Sequence, residues 1–163
     1  DPRMESMARQ FFKLPDDPRR IRIQVADGAD FVIGARQRFD LILVDGFDAD
    51  ARPGQLDSVP FYLDCRARLA DEGIFCVNLL SRRREFGASV GRLRDAFEHH
   101  LLALPSGDAG NAIVIAARPD AVPPSLTFEE LTAAAKALRK STGLNLSPLL
   151  ARLAQARKAG GGL

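Results

Sequence analysis

Phe39-Asp40-Leu41-Ile42-Leu43-Val44-Asp45-Gly46-Phe47-Asp48 decides the fold of this chain. A strand over Asp40–Asp45 is nearly all apolar, as a strand covered on both faces should be. It ends in an acidic turn at Asp45-Gly46, with Asp48 close behind. Upstream, Ile21-Arg22-Ile23-Gln24-Val25-Ala26-Asp27-Gly28 repeats the design, a strand over Ile21–Ala26 closing on Asp27-Gly28. In open α/β sheets ligands bind just beyond the carboxyl ends of the strands. Two acid-tipped strands therefore predict one shared crevice.

Working outward, Asp1 and Pro2 are suited to cap and start a helix. Met4, Met7, Ala8, Phe11 and Phe12 then recur at helical spacing. Pro15-Asp16-Asp17-Pro18 breaks that helix, and a short helix follows near Ala29–Ala35. The segment Gly46–Asp57 reads as a long loop, which raises its functional interest. Ser58 or Asp57 can cap the next helix, whose buried stripe is Phe61, Tyr62, Cys65 and Leu69, with Gly73 just past its end. A strand is expected over Ile74–Leu80, and an amphipathic helix through Phe86, Val90, Leu93 and Phe97. Leu101–Leu104 and Ala112–Ala117 form a terminal hairpin about a turn at Pro105–Gly110. Beyond Pro119, the linker Pro123-Pro124 leads to a helix capped by Thr127, with Phe128, Leu131, Ala135 and Leu138 as its stripe. A last helix carries Leu146, Leu149, Leu150 and Leu153, and Gly160–Gly162 is a tail. Strands alternating with helices, then a hairpin, indicate a mostly parallel α/β sheet with one antiparallel strand.

The bulk chemistry narrows the function classes. A chain of 163 residues is one domain by length and long enough for a substantial core. Its net charge of +2 is too slight to argue for nucleic acid or a membrane surface. No apolar run approaches the ~20 residues of a membrane span. Cys65 and Cys76 lie in apolar stretches, which argues for small core residues and a reducing, cytoplasmic setting. No second cysteine pair accompanies them, and His99-His100 stand without a ligand pattern, so no metal is expected. Arg82-Arg83-Arg84 suits a phosphate less well than a solvated helix start, and Asn78 ends a strand near the crevice, where a backbone-bonding structural role stands beside a role in the site.

The ordered set Val25-Ala26-Asp27-Gly28-Ala29-Asp30-Phe31, Phe39–Asp48, Phe61-Tyr62 and Leu69-Ala70-Asp71-Glu72-Gly73 resembles the spermidine synthase family, most closely its bacterial spermidine synthase-like branch. The resemblance runs from Asp1 to about Arg118, and the helical tail is similar to that branch as well. It implies the Rossmann-like S-adenosylmethionine-dependent methyltransferase fold over 1–118, truncated at the N-terminus with the first two strands absent. Residues 119–163 would be a C-terminal helical extension. It also implies aminopropyl transfer from decarboxylated S-adenosylmethionine, as co-substrate, to a polyamine amine, by a homodimer. Asp27 falls where the family's aspartate meets the adenine amino group, and Gly28 keeps the backbone close to that ring. Asp45 and Asp48 fall on the family's acidic pair beside the transferring group and the acceptor amine, Asp48 on the residue that deprotonates the nucleophile. A protonated polyamine is drawn to carboxylates, and a positioned carboxylate is an ordinary general base.

Departures keep other readings open. The family's glycine-rich first motif and ribose-gripping acid lie upstream of anything here, because Asp1-Pro2 matches the residues directly after that acid. Asp45-Gly46-Phe47-Asp48-Ala49-Asp50 replaces a serine-rich acidic loop, and Leu104 stands where the family has a tyrosine. The implied sheet order is three-two-one-four-five-seven-six, of which this chain would supply strands three to seven. The third strand would then lack its neighbour, and pairing with a second copy is one remedy. Methyl transfer from S-adenosylmethionine, or a catalytically silent assembly domain, stand as the alternatives. Locally, Asp27-Gly28 also suits a helix cap, and Asp45 and Asp48 a capped loop.

Overall fold

The structure, a computed structural model, describes residues 1–48, 50–104, 110–121 and 127–158, the last three by backbone alone. Four strands form its sheet: β1 (Phe39–Val44), β2 (Leu69–Leu80), β3 (Leu101–Leu104) and β4 (Asn111–Ala117), in the order β1-β2-β4-β3. β1 and β2 are parallel, with Leu41 opposite Ile74 and Val44 opposite Val77. β4 runs antiparallel to both its neighbours. Three of the four strands thus point one way and β4 alone opposes them, as expected, and the order is that of strands four, five, seven and six in the methyltransferase pattern. The turn at 105–109, the linker prolines and the glycine tail lie outside the described residues.

Ile21–Ala26 is a correction, since this stretch joins no strand and is mostly exposed. Its alternating pattern allows a strand, but a strand needs a ladder partner. The expected order separates the third strand from β1 by two intervening strands, and no described strand occupies those two places. Consequently Leu41 and Leu43 remain exposed on β1.

Gly73 is a second correction. α3 (Val59–Ala67) stops at Arg68, and β2 begins at Leu69, earlier than Ile74. Phe39 pairs with Leu69 and Leu41 with Ile74, so β2 bulges between them. Gly73 lies in that bulge, where a Cβ would stand 2.7 Å from the Phe39 carbonyl oxygen and 2.8 Å from the Ala70 nitrogen. It is a glycine because backbones approach closely there, not because a helix ends.

The main core lies between one sheet face and the helices α2 (Gly28–Gly34), α3 and α4 (Phe86–Ala96). Phe75, Val77 and Leu79 alternate toward it from β2 and meet Tyr62, Cys65, Leu93 and Phe97. Phe75 sits between two rings, 5.8 Å from Tyr62 and 5.1 Å from Phe97. On the other face, Leu102 and Leu104 pack with Ile113, Ile115 and Leu153 of α6 (Ser147–Lys158). α5 (Phe128–Thr142) begins in a reciprocal cap, Thr127 Oγ1 accepting from the Glu130 amide while Glu130 accepts from the Thr127 amide. α1 (Pro2–Phe12) forms on its Asp1 cap as read, yet buries no residue; Met4, Met7, Phe11 and Phe12 are all exposed.

Candidate functional site

β1 delivers Asp45 directly past its carboxyl end, and Asp27 caps α2 immediately before Gly28. Both flank one cavity of about 340 Å³. Its walls are Phe31 and Val32 of α2, Phe39 and Leu41–Val44 of β1, and Leu56 and Phe61; Gly28, Asp45 and Gly46 form its rim. An apolar hollow with few polar groups is the usual form of a small-molecule site. It suits a flat ring against its walls and a cation near Asp45.

The three aspartates are placed differently. Asp45 lines the cavity, and its Oδ1 accepts from Asn78 Nδ2 at 3.0 Å. Of the two roles open to it, Asn78 therefore takes the one at the crevice, orienting Asp45 and not a backbone group, and its own Oδ1 is buried without a partner among the described residues. Asp27 does not line the cavity. Its Oδ1 accepts from the Ala29 amide at 2.8 Å and the Asp30 amide at 3.3 Å, so its local role is the helix cap. Asp48 also lies off the lining, with Oδ1 accepting from the amides of Asp50 at 2.9 Å and Arg52 at 2.7 Å. That turn is closed by Asp48 N–H donating to the Arg52 carbonyl at 2.8 Å, and Ala51 takes a left-handed φ of 56° within it. Among the described residues, these hydrogen bonds all use Oδ1 and leave Oδ2 of each carboxylate open. The structure thus brings Gly28 and Asp45 onto one surface, whereas Asp27, one residue before Gly28, and Asp48 lie outside its lining.

Two residues escaped the sequence reading. Leu56 spans the glycines: a Cβ on Gly46 would meet its Cδ1 at 2.7 Å, and one on Gly28 its Cδ2 at 3.3 Å. Nothing periodic marks a loop leucine, so no signal pointed to it. Asp57 was legible only as a possible cap. Ser58 takes that role, its Oγ accepting from the Phe61 amide at 3.3 Å, while Asp57 turns inward to Tyr62, Ser89 and Arg92. Burial pushes the Asp57 carboxyl up, but Arg92, Ser89 and Tyr62 outweigh it and hold the group below the usual range. Burial, and then Asp57, push the Tyr62 hydroxyl up. Arg83 is more than a solvated charge, because it donates to the Asp50 carbonyl at 2.7 Å from outside the loop. His100 Nδ1 lies 3.0 Å from the Glu98 carbonyl, at the surface. Among the described residues no cluster of side chains could hold a metal, and no helix is long and apolar enough to cross a membrane.

Comparison with known proteins adds independent findings. No family model matches the chain. It is 34% identical over 153 residues to the polyamine aminopropyltransferase of Neisseria meningitidis serogroup A, covering 94% of this chain and 57% of that protein. It is 36% identical over 156 residues to the polyamine aminopropyltransferase of Chromobacterium violaceum, covering 95% and 59%. The chain therefore spans somewhat more than half the length of these relatives. Among solved structures, human methyltransferase-like protein 13 in complex with SAH superposes with a TM-score of 0.71 at 24% identity, over 86% of this chain and 67% of that one. A spermidine synthase in complex with the transition-state analogue AdoDATO gives 0.62 at 23%, over 81% and 49%. These structural likenesses establish the methyltransferase fold.

Proposed function

We propose that this chain, which belongs to the polyamine aminopropyltransferase family, forms one side of an adenosine and amine site for aminopropyl transfer. The observation that carries the reading is the cavity shared by Gly28 and Asp45 at the carboxyl end of β1. The donor would be decarboxylated S-adenosylmethionine and the acceptor a polyamine. Asp27 would accept from the adenine amino group through its open oxygen while still capping α2, and Gly28 would let the ring lie against the backbone. Asp45, held by Asn78, would face the positive charge of donor and acceptor. Asp48 would take the proton of the attacking amine; such general bases contribute typically ~10²–10⁴-fold. For that step the Asp48 turn must swing its free oxygen toward the cavity, since the residue now stands off the lining.

The proposal extends to organisation. Residues 1–118 form the catalytic-fold portion and 119–163 a helical extension laid on its second sheet face. Cys65 and Cys76 are free thiols, which suits a reducing cytoplasmic setting. A homodimer would cover apolar surface away from the cavity, such as Met4, Phe11 and Phe12 of α1. Calorimetry with methylthioadenosine tests the site. Measurable heat that Asp45→Asn and Asp27→Asn alter supports the reading, and no heat at millimolar ligand refutes it for this chain. Competition between S-adenosylmethionine and its decarboxylated form tests the donor, because Asp45 should disfavour the ligand that carries a carboxylate.

A further inference from the structure

Asp57 is where the acidic loop is fastened to the helices behind it. It ends the short 3₁₀ turn Gly54–Asp57, and its side chain is only 7% exposed. Tyr62 Oη donates to Oδ1 at 2.8 Å and Ser89 Oγ to Oδ2 at 2.6 Å. Arg92 grips both oxygens, Nε to Oδ1 at 3.1 Å and Nη2 to Oδ2 at 2.5 Å. The donors belong to α3 and α4, whereas the acceptor belongs to the loop that began at Asp45.

Stability alone is a poor account of this arrangement. Buried ion pairs exchanged for packed apolar residues often leave a protein as stable or more so. What a two-pronged arginine contact supplies is direction. The residue before Asp57 is Leu56, whose two methyl groups rest against Gly46 and Gly28 on the cavity rim. The Leu56 amide is tied to the Pro53 carbonyl at 3.1 Å, and the Asp48–Arg52 turn comes just ahead. Wherever Asp57 is held, Leu56 and then the turn must follow.

We propose that Asp57, clamped by Arg92, Ser89 and Tyr62, is a positioning residue that fixes Leu56 across Gly28 and Gly46 and thereby sets the cavity wall and the seat of the Asp48 turn. Its consequence for ligand binding rests on the adenosine-site reading; its consequence for the loop does not. The test uses the full chain as wild type, Asp57→Asn and Ser89→Ala, with amide hydrogen exchange and methylthioadenosine calorimetry on each. Asp57→Asn is expected to speed exchange at the Arg52 and Leu56 amides by about tenfold or more, the effect of losing a charge-assisted hydrogen bond. Val77 and Val114, in the centre of the sheet, should keep their protection, and ligand affinity should fall about tenfold alongside. Ser89→Ala leaves the ion pair in place, so it guards against loss of folding and should move the same amides less. Unchanged exchange at Arg52 and Leu56 in a folded variant overturns the proposal. So does a rise spread evenly through the sheet, which marks a merely structural role. If the wild type gives no heat, the adenosine reading falls while the exchange data still decide the clamp.

Discussion

Gly46→Ala probes the packing that builds the cavity wall. The new methyl group would stand 2.7 Å from Leu56 Cδ1. Carbon atoms rest about 3.5–4.0 Å apart, so Leu56 must withdraw by roughly 1 Å. The obstacle is the end of a side chain, which can turn, rather than backbone. Forcing it off its rotamer costs about 0.5–1.5 kcal/mol, and with lost packing the total is expected near 1–2 kcal/mol. Leu56 is half-buried, so Leu56→Ala alone should cost about 1–2 kcal/mol, below the range for a fully buried leucine. In the double variant the alanine methyl enters space that leucine has left. The combined loss should then fall short of the sum by about 1 kcal/mol. Urea denaturation of the four proteins at neutral pH measures this coupling. Calorimetry with methylthioadenosine should show Gly46→Ala binding more weakly and the double variant partly restored. Additivity within about 0.3 kcal/mol would mean the two residues do not touch, and the account of the wall would be wrong.

Further predictions concern the frame around the site. Gly73→Ala should destabilise by about 2–3 kcal/mol, since its methyl meets fixed backbone. Gly91→Ala, in α4 with open space around it, should instead stabilise by about 0.5–1 kcal/mol; equal effects at the two sites would refute the bulge. Asp57 binds its proton more weakly in the native state than in the unfolded chain. Its contribution is therefore complete above the unfolded pKa of about 3.9 and lost as pH falls through the lower native value. The urea midpoint should drop on that acid limb, and Arg92→Gln should flatten the drop by removing the main opponent of burial. Thr127→Ala removes one half of the α5 cap and should cost about 1 kcal/mol, read as lower helicity and an earlier thermal transition. Burial holds the Cys65 thiol up to about 12 and raises Cys76, so neither should react with a disulfide reagent at mildly alkaline pH until denaturant is added.

Local rules made much of the fold legible. Asp1-Pro2 and Thr127 announce their helices because capping is settled within one turn of chain. The nearly all-apolar stretch Asp40–Asp45 does give a strand with Asp45 at its tip, but Leu41 and Leu43 are exposed, so the expected burial on both faces is not met. The same reasoning misjudged Ile21–Ala26, whose alternation shows what it can pair with and not whether a partner is present. It misjudged Gly73 too, since a glycine required by a close backbone approach looks the same in sequence as one that ends a helix.

Read alone, the sequence determined the order of the elements from α2 onward, the acids that follow β1 and precede α2, and the resemblance that the relatives then bore out. Each of these depends on neighbours along the chain. Only the tertiary structure decided that Gly28 and Asp45 share a cavity while the Asp27 and Asp48 carboxylates turn to caps beside it. Only it placed Leu56 across two glycines and Asp57 between α3 and α4. These contacts join residues some five to thirty-five positions apart through an aperiodic loop. Their geometry is settled by packing and directed hydrogen bonds in three dimensions, which no pattern along one dimension records.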